Sequence, residues 1–219
     1  MCGRTRSTVR PSQIRNILNN VLSEREREPV VDMSRDDDVI DLTGDDECVV
    51  NNAENLCPGM CMYVAYLDAE QNVRVDMMIW GIKMNKMSLF NTRSEELTAK
   101  PMFWKMMSQN RGVVLVDGYY EWMSNGKGKP KIKYLISPEN SQYFVLPVIF
   151  NNKGSFTILT RDPVTKSIRD IHERQPVILS NTQIQNWVNQ DNTKDAMTIY
   201  ENMRNTDMMC NACKVIMIV

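Results

Sequence analysis

From Met60 onward the chain is written in short β-prone runs, and this pattern constrains its fold more than any other feature. Residues 62–67 and 73–80 flank a polar stretch at 68–72, which reads as a hairpin. Trp80-Gly81 ends its second strand. Residues 113–116 are uniformly apolar and read as a buried strand. Asp117-Gly118 follows as a turn or bulge signal and leads into Tyr119-Tyr120-Glu121-Trp122. Further strands are expected over 132–136, 142–150, 155–160 and 214–219. Helical spacing occupies fewer segments. Ile14, Ile17, Leu18, Val21 and Leu22 form one apolar stripe behind Pro11, which suits a first helical turn. A second helical stretch spans about 94–107, with Pro101 marking a break or a second start. Two more cover 182–189 and 196–203. Strands outnumber helices and no internal repeat is visible. The expected fold is a single mixed α+β domain over residues 1–219, mostly antiparallel, its strands forming a barrel-like sheet with peripheral helices. The 219 residues suffice for one core.

Charge divides the chain unevenly. Residues 32–47 hold eight acids and one base, a net of −7, which leaves +6 on the remainder of a chain whose total is −1. Residues 29–55 read as an acidic loop insertion. Inside it lies Val39-Ile40-Asp41-Leu42-Thr43, a β-prone run between acidic clusters. Such a run can add as a strand to the edge of a partner's sheet, its acids meeting basic side chains, and this one resembles a SUMO-interacting motif. The plainer reading, a solvated acidic loop with one buried anchor, stands beside it. A mildly basic body is compatible with a polyanionic partner.

No apolar run reaches the ~20 residues that a bilayer span requires, so no membrane partner is expected. The first residues are polar and unlike a secretory signal. The six cysteines are therefore expected as reduced thiols in the nucleus or cytoplasm, not as a disulfide framework. Cys57 and Cys61, with Cys210 and Cys213, have the spacing of a four-thiolate zinc site, but free thiols are the preferred reading, and neither a metal nor another cofactor is expected.

The chemistry begins at Met1-Cys2-Gly3-Arg4. Trimming of Met1 would leave Cys2 with an α-amine and a thiol on adjacent carbons, titrating near ~8 and ~8.5. This 1,2-aminothiol can condense with an aldehyde and close a thiazolidine ring. The bland alternative is an ordinary chain end. His172 is the only histidine, in the polar turn Asp170-Ile171-His172-Glu173-Arg174-Gln175-Pro176. Glu121 lies among apolar strand residues, where burial in a cleft would make it a usable general acid; on the solvent face it would be an ordinary surface carboxylate. Asn91 can orient a terminal amine or thiol, and Arg93 offers a planar fork for phosphate. A helix cap and a surface arginine are the plain alternatives. Trp80 or Trp122 can cover an exposed base, although core packing is the preferred reading for Trp122.

Taken together these stretches carry a resemblance. Met1-Cys2-Gly3-Arg4, Trp80-Gly81, Phe90-Asn91-Thr92-Arg93-Ser94, Arg111 through Trp122, and Asp170 through Leu179 resemble the SRAP family of abasic-site processing proteins, also called SOS response-associated peptidases, and are closer to its eukaryotic-type members. The resemblance implies that Cys2 crosslinks to abasic sites in single-stranded DNA in the DNA damage response. It implies that Asn91, Glu121 and His172 complete the active site, and that a peptidase activity accompanies it. Arg93 is implied in DNA backbone contact, Arg4 and Arg111 are its expected phosphate-binding companions, and Thr160 matches a threonine of the family pocket. Gly112 departs from the pattern, standing where a cysteine is usual. Two other functions share the same residues: an amidase with Cys2 as an N-terminal nucleophile, and a non-catalytic module that binds DNA and SUMO.

Overall fold

A computed structural model of the chain describes residues 3–23, 54–84, 87–189 and 213–218. Cys2, the run Val39, Ile40, Asp41 and Leu42, and the helix expected over 196–203 lie outside these residues. The described elements are β1 (Arg4–Arg6), α1 (Pro11–Ser23), β2 (Cys61–Leu67), β3 (Val73–Trp80), β4 (Ile82–Met84), β5 (Met87–Leu89) and β6 (Asn91–Arg93). A 3-10 turn at Ser94–Glu96 precedes α2 (Pro101–Gln109), β7 (Arg111–Val116), β8 (Gly118–Met123), β9 (Ile132–Pro138), β10 (Phe144–Asn151) and β11 (Ser155–Arg161). The chain continues through α3 (Lys166–Ile171), β12 (Gln175–Pro176), α4 (Asn181–Val188) and β13 (Cys213–Ile218).

Two larger sheets and a two-stranded β4–β5 pair organise these elements. In the larger one β7 pairs antiparallel with β10 and β2, β2 with β3, and β10 with β11. A short parallel pairing of Ser155 with Ile79 and Phe156 with Trp80 joins β11 to β3 and closes the five strands into a ring. The smaller sheet is antiparallel, in the order β1-β8-β9-β13. The expected α+β fold is thus realised as a ring-like sheet beside a second sheet, with the helices packed outside the strands.

Alternation along the ring strands sorts side chains into two cores, as a period of two requires. Ala65, Leu67, Val113, Leu115, Val145, Ile149 and Leu159 pack with Ile14, Leu18 and Val21 of α1, Phe103 and Met107 of α2, and Ile184, Trp187 and Val188 of α4. Their neighbours Met62, Val64, Met78, Trp80, Val114, Val116, Leu146, Val148, Phe156 and Ile158 pack with Tyr119 and Ile136 of the smaller sheet and Ile168 of α3. Each fully buried Val, Leu, Ile or Phe in these layers contributes about 1.5–3 kcal/mol. The starts of α1 and α4 are held by local hydrogen bonds. The Arg10 carbonyl accepts from Ile14 N at 3.0 Å, while Gln13 Oε1 accepts from Arg10 N at 3.0 Å. Ser180 and Gln183 form a reciprocal capping box on α4.

Three expectations are corrected. Residues 4–6, polar in sequence and assigned no element from it, form β1. Its Thr5 is fully buried between β8 and Leu56, exchanging backbone hydrogen bonds of 2.8 Å with Leu56. The helix expected over 94–107 is two elements, because Pro101 cannot continue a preceding turn and instead opens α2. Finally, Cys61 is disulfide-bonded. The expectation of reduced thiols throughout therefore fails at Cys61. Among the described residues no helix is long and apolar enough to cross a membrane.

Gly112 sits where β7 crosses close to β2. A Cβ there would lie 2.8 Å from the Ala65 carbonyl oxygen and 2.9 Å from Val64 Cγ1, and the Gly112 carbonyl accepts from Trp187 Nε1 at 2.8 Å. The departure from cysteine is therefore matched by a narrow gap between strands. Gly112→Ala should lower the urea midpoint, costing about 1–3 kcal/mol with an unchanged m value; equal midpoints would show that the strands separate freely.

Candidate functional site

The site is built outward from β1. Arg4 faces Tyr120, Thr5 faces Tyr119 and Arg6 faces Gly118, so the amino-terminal end of the chain enters alongside β8 next to Glu121. The approach is fixed at several points. Asp117 N donates to the Arg6 carbonyl at 2.7 Å, Ser7 Oγ donates to the Leu115 carbonyl at 2.8 Å, and Thr8 N donates to Asp117 Oδ2 at 3.1 Å. Gly118 allows close strand approach here, since a Cβ would meet the Ile136 carbonyl oxygen at 2.6 Å.

Glu121 shares a face of β8 with Tyr119 and lies opposite Tyr134, beside the apolar layer of Ile136 and Ile168. It is 2% exposed. Burial pushes its carboxyl from 4.5 up to about 7, and the positive charge of the chain's amino terminus pulls partly the other way. A carboxyl in this range can both give and take a proton near neutrality. α3 packs on β8 and ends at Ile171; His172 follows as its C-cap, its N–H donating to the Ile168 carbonyl at 2.9 Å. Burial lowers the His172 pKa, and the same terminal ammonium lowers it further. Glu121 and His172 are thus two titratable groups that feel one amino terminus.

β11 holds the remaining parts. On one side it pairs with β6, Ile158 facing Asn91 and Thr160 facing Arg93; on the other Thr160 faces Pro176, four residues beyond His172. Asn91 is buried and Arg93 is exposed. Arg4 is half-buried, its guanidinium carbon 5.9 Å from the Trp122 ring centroid, and Lys133 Nζ lies 4.1 Å over Tyr120 and 5.9 Å from Trp122. This outer face of the smaller sheet is both cationic and aromatic.

Two of the expected DNA contacts, Arg111 and Trp80, lie in the core. Arg111 is fully buried, and its guanidinium donates to the carbonyls of Met107 and Trp187, each at 2.6 Å, and to that of Asn189. It satisfies the carboxyl ends of α2 and α4 and has no surface to offer a phosphate; burial lowers its pKa to about 10. Trp80 is a core side chain, 0% exposed, with Nε1 donating to the Phe90 carbonyl at 2.7 Å. Thr160 is buried as well, its hydroxyl donating to the Thr92 carbonyl at 3.4 Å. Trp122, expected in the core, is half-buried.

Sequence reasoning gave no role to Arg174 and Glu95. Arg174 is buried, and its guanidinium meets Glu95 at 2.7 and 2.9 Å, Asp162 at 2.5 Å and the Thr160 carbonyl at 2.8 Å. Burial works against the Glu95 charge, but Arg174 outweighs it and holds that carboxyl below its usual range. The available signal was the arginine two residues after the only histidine.

The fold has counterparts among solved structures. A phage-related protein of Bordetella bronchiseptica superposes with a TM-score of 0.70 at 19% identity, covering 99% of this chain and 94% of that one. A Bacteroides thetaiotaomicron protein does so with a TM-score of 0.68 at 19% identity, covering 100% and 92%. The chain belongs to the family described as SOS response associated peptidase (SRAP), whose sequence model matches residues 1–216. Its relatives include the abasic site processing proteins YoaM of Bacillus subtilis, 28% identical over 64% of this chain and 66% of that protein, and HMCES of Xenopus tropicalis, 28% identical over 52% and 42%. The match thus spans just under two thirds of YoaM and less than half of HMCES.

The Glu121 shift has a sign that can be checked. Its folded pKa lies above the unfolded value of 4.5, so the stability it contributes is fully present below that pH and lost as pH rises through about 7. Unfolding titrations of wild type and Glu121→Gln should diverge across this window, wild type losing up to about 3 kcal/mol relative to the variant. Parallel curves would place the carboxyl in water.

Proposed function

We propose that this protein recognises abasic sites in single-stranded DNA and captures them covalently through Cys2 after removal of Met1. The observation that carries the reading is Glu121, a buried carboxyl with a pKa near neutrality beside the strand that leads from the amino terminus. Membership of a family whose relatives are named abasic site processing proteins supports it.

The abasic sugar is largely ring-closed, and its aldehyde appears when the ring oxygen gains a proton and the anomeric hydroxyl loses one. Glu121 and His172 are the groups that assist this opening. The neutral Cys2 amine attacks C1′, water leaves, and the thiolate adds to the resulting imine carbon to close a thiazolidine. The balance is one amine, one thiol and one aldehyde giving one ring and one water. Asn91 orients the terminus, because a loose chain end rarely reaches attack geometry. Arg93 and Arg4 meet phosphates, and Trp122 supplies a surface for a base. The acidic run at Val39, Ile40, Asp41 and Leu42 is proposed as a separate recruiting strand for a SUMO-type partner.

Wild-type protein mixed with abasic single-stranded DNA should give a shifted band that survives denaturation. Cys2→Ala should abolish the band and retain binding to intact single strands, while Glu121→Gln should slow its appearance by ~10²–10⁴-fold. A persistent band with Cys2→Ala overturns the proposal, and turnover of a peptide without any DNA adduct would favour the amidase instead.

A further inference from the structure

We propose that Arg174 is a positioning residue that fixes His172 as a hydrogen-bond donor through Nε2, leaving proton exchange to Glu121. The division of labour rests on the crosslinking function proposed above; the ring's tautomer does not. The backbone N–H of Arg174 donates to His172 Nδ1 at 3.0 Å. A neutral imidazole carries one N–H, and a nitrogen that accepts a hydrogen bond cannot bear it, so the ring proton resides on Nε2.

A single bond between residues two apart would be loose unless its donor were anchored. Arg174 supplies the anchor. Glu95 grips its guanidinium through both carboxylate oxygens, at 2.7 and 2.9 Å, and the Thr160 carbonyl accepts from it at 2.8 Å. This two-point grip fixes orientation as well as distance, which a lysine cannot reproduce. The Asp162 side chain is 83% exposed, so its contact adds less. Neighbouring contacts hold the same loop: Val164 N donates to Gln175 Oε1 at 3.0 Å, and Val177 N to the Leu159 carbonyl at 2.9 Å. Glu95 lies in the 3-10 turn at Ser94–Glu96 that follows β6, so one ion pair ties the strand of Asn91 and Arg93 to the histidine loop.

The chemical consequence is a separation of roles. His172 Nε2–H can hydrogen-bond a sugar oxygen without releasing its proton. Glu121 gives a proton to the ring oxygen and recovers one from the anomeric hydroxyl, so the count of protons on the protein is unchanged.

His172 is the only histidine in the chain, so a long-range proton–nitrogen NMR spectrum of the uniformly labelled full-length protein contains a single set of imidazole signals. At a pH where the ring is neutral, wild type should show a pyridine-like Nδ1 and a pyrrole-like Nε2. Glu95→Ala and Arg174→Ala should move both nitrogens toward averaged values, and Arg174→Lys should recover part of the shift. Glu95→Ala keeps the test open if Arg174→Ala does not fold. In the crosslinking assay Glu95→Ala should slow adduct formation roughly 10-fold, the scale of one hydrogen bond, with unchanged affinity for intact single strands. A wild-type ring protonated on Nδ1, or ring signals unmoved in the variants, overturns the proposal. Weakened DNA affinity with an unmoved tautomer would make Arg174 a phosphate contact instead. The spectrum requires no DNA, so its outcome is independent of whether the protein crosslinks.

Discussion

Three residue pairs between β1 and β8 anchor the arrangement of this molecule's site. Arg4, Thr5 and Arg6 lie against Tyr120, Tyr119 and Gly118, and the bridge from Thr5 to Leu56 holds the strand from its other edge. Chain termini are usually the least ordered part of a domain. Here the first described residues are held on both sides, with a fully buried threonine at the centre. The function proposed for Cys2 depends on this constraint, because a reactive terminus gains from being held only if the strand behind it cannot swing away.

The second organising feature is a carboxyl placed on the wrong side of an amphipathic strand. β8 turns Tyr119 and Glu121 toward the same apolar layer, and a glutamate there costs stability whenever it ionises. Proteins keep such residues where the cost supports chemistry, and the amino terminus is the nearby positive charge that offsets it in part. Around Glu121 the other parts are held by elements with separate structural reasons to be there: α3 buries Ile168 and Ile171, β11 runs through the ring, and Arg174 is clamped by Glu95. The groups proposed to react are thus carried by elements that also pack the core.

Much of the fold was legible because its strands alternate cleanly or are apolar throughout. The hairpin of β2 and β3, the buried β7, and the edge strand β13 follow directly from such runs, and α1 from the spacing of Ile14, Leu18 and Val21. β1 was not legible, since Arg-Thr-Arg has one inward residue and no apolar signature. The short β4–β5 hairpin was hidden for a related reason, its Met84 and Met87 being exposed. At the site, Glu121 and His172 could be named from sequence, but sequence could not separate surface from interior for the basic and aromatic residues. Arg111 and Trp80 looked available to DNA, and each proved to satisfy backbone carbonyls in the core. Arg174 escaped attention because its partners, Glu95 and Thr160, are distant in sequence and meet it only through the β6–β11 pairing.

The central claim is that the nitrogen and sulfur of Cys2 trap one sugar carbon together. Mass spectrometry of the adduct, after digestion of both protein and DNA, addresses it most directly. The account predicts an amino-terminal peptide that begins at Cys2, lacks Met1, and carries one deoxyribose remnant with the loss of a single water and no free thiol. A remnant on a lysine, or a terminal peptide that retains Met1 within the adduct, would contradict it.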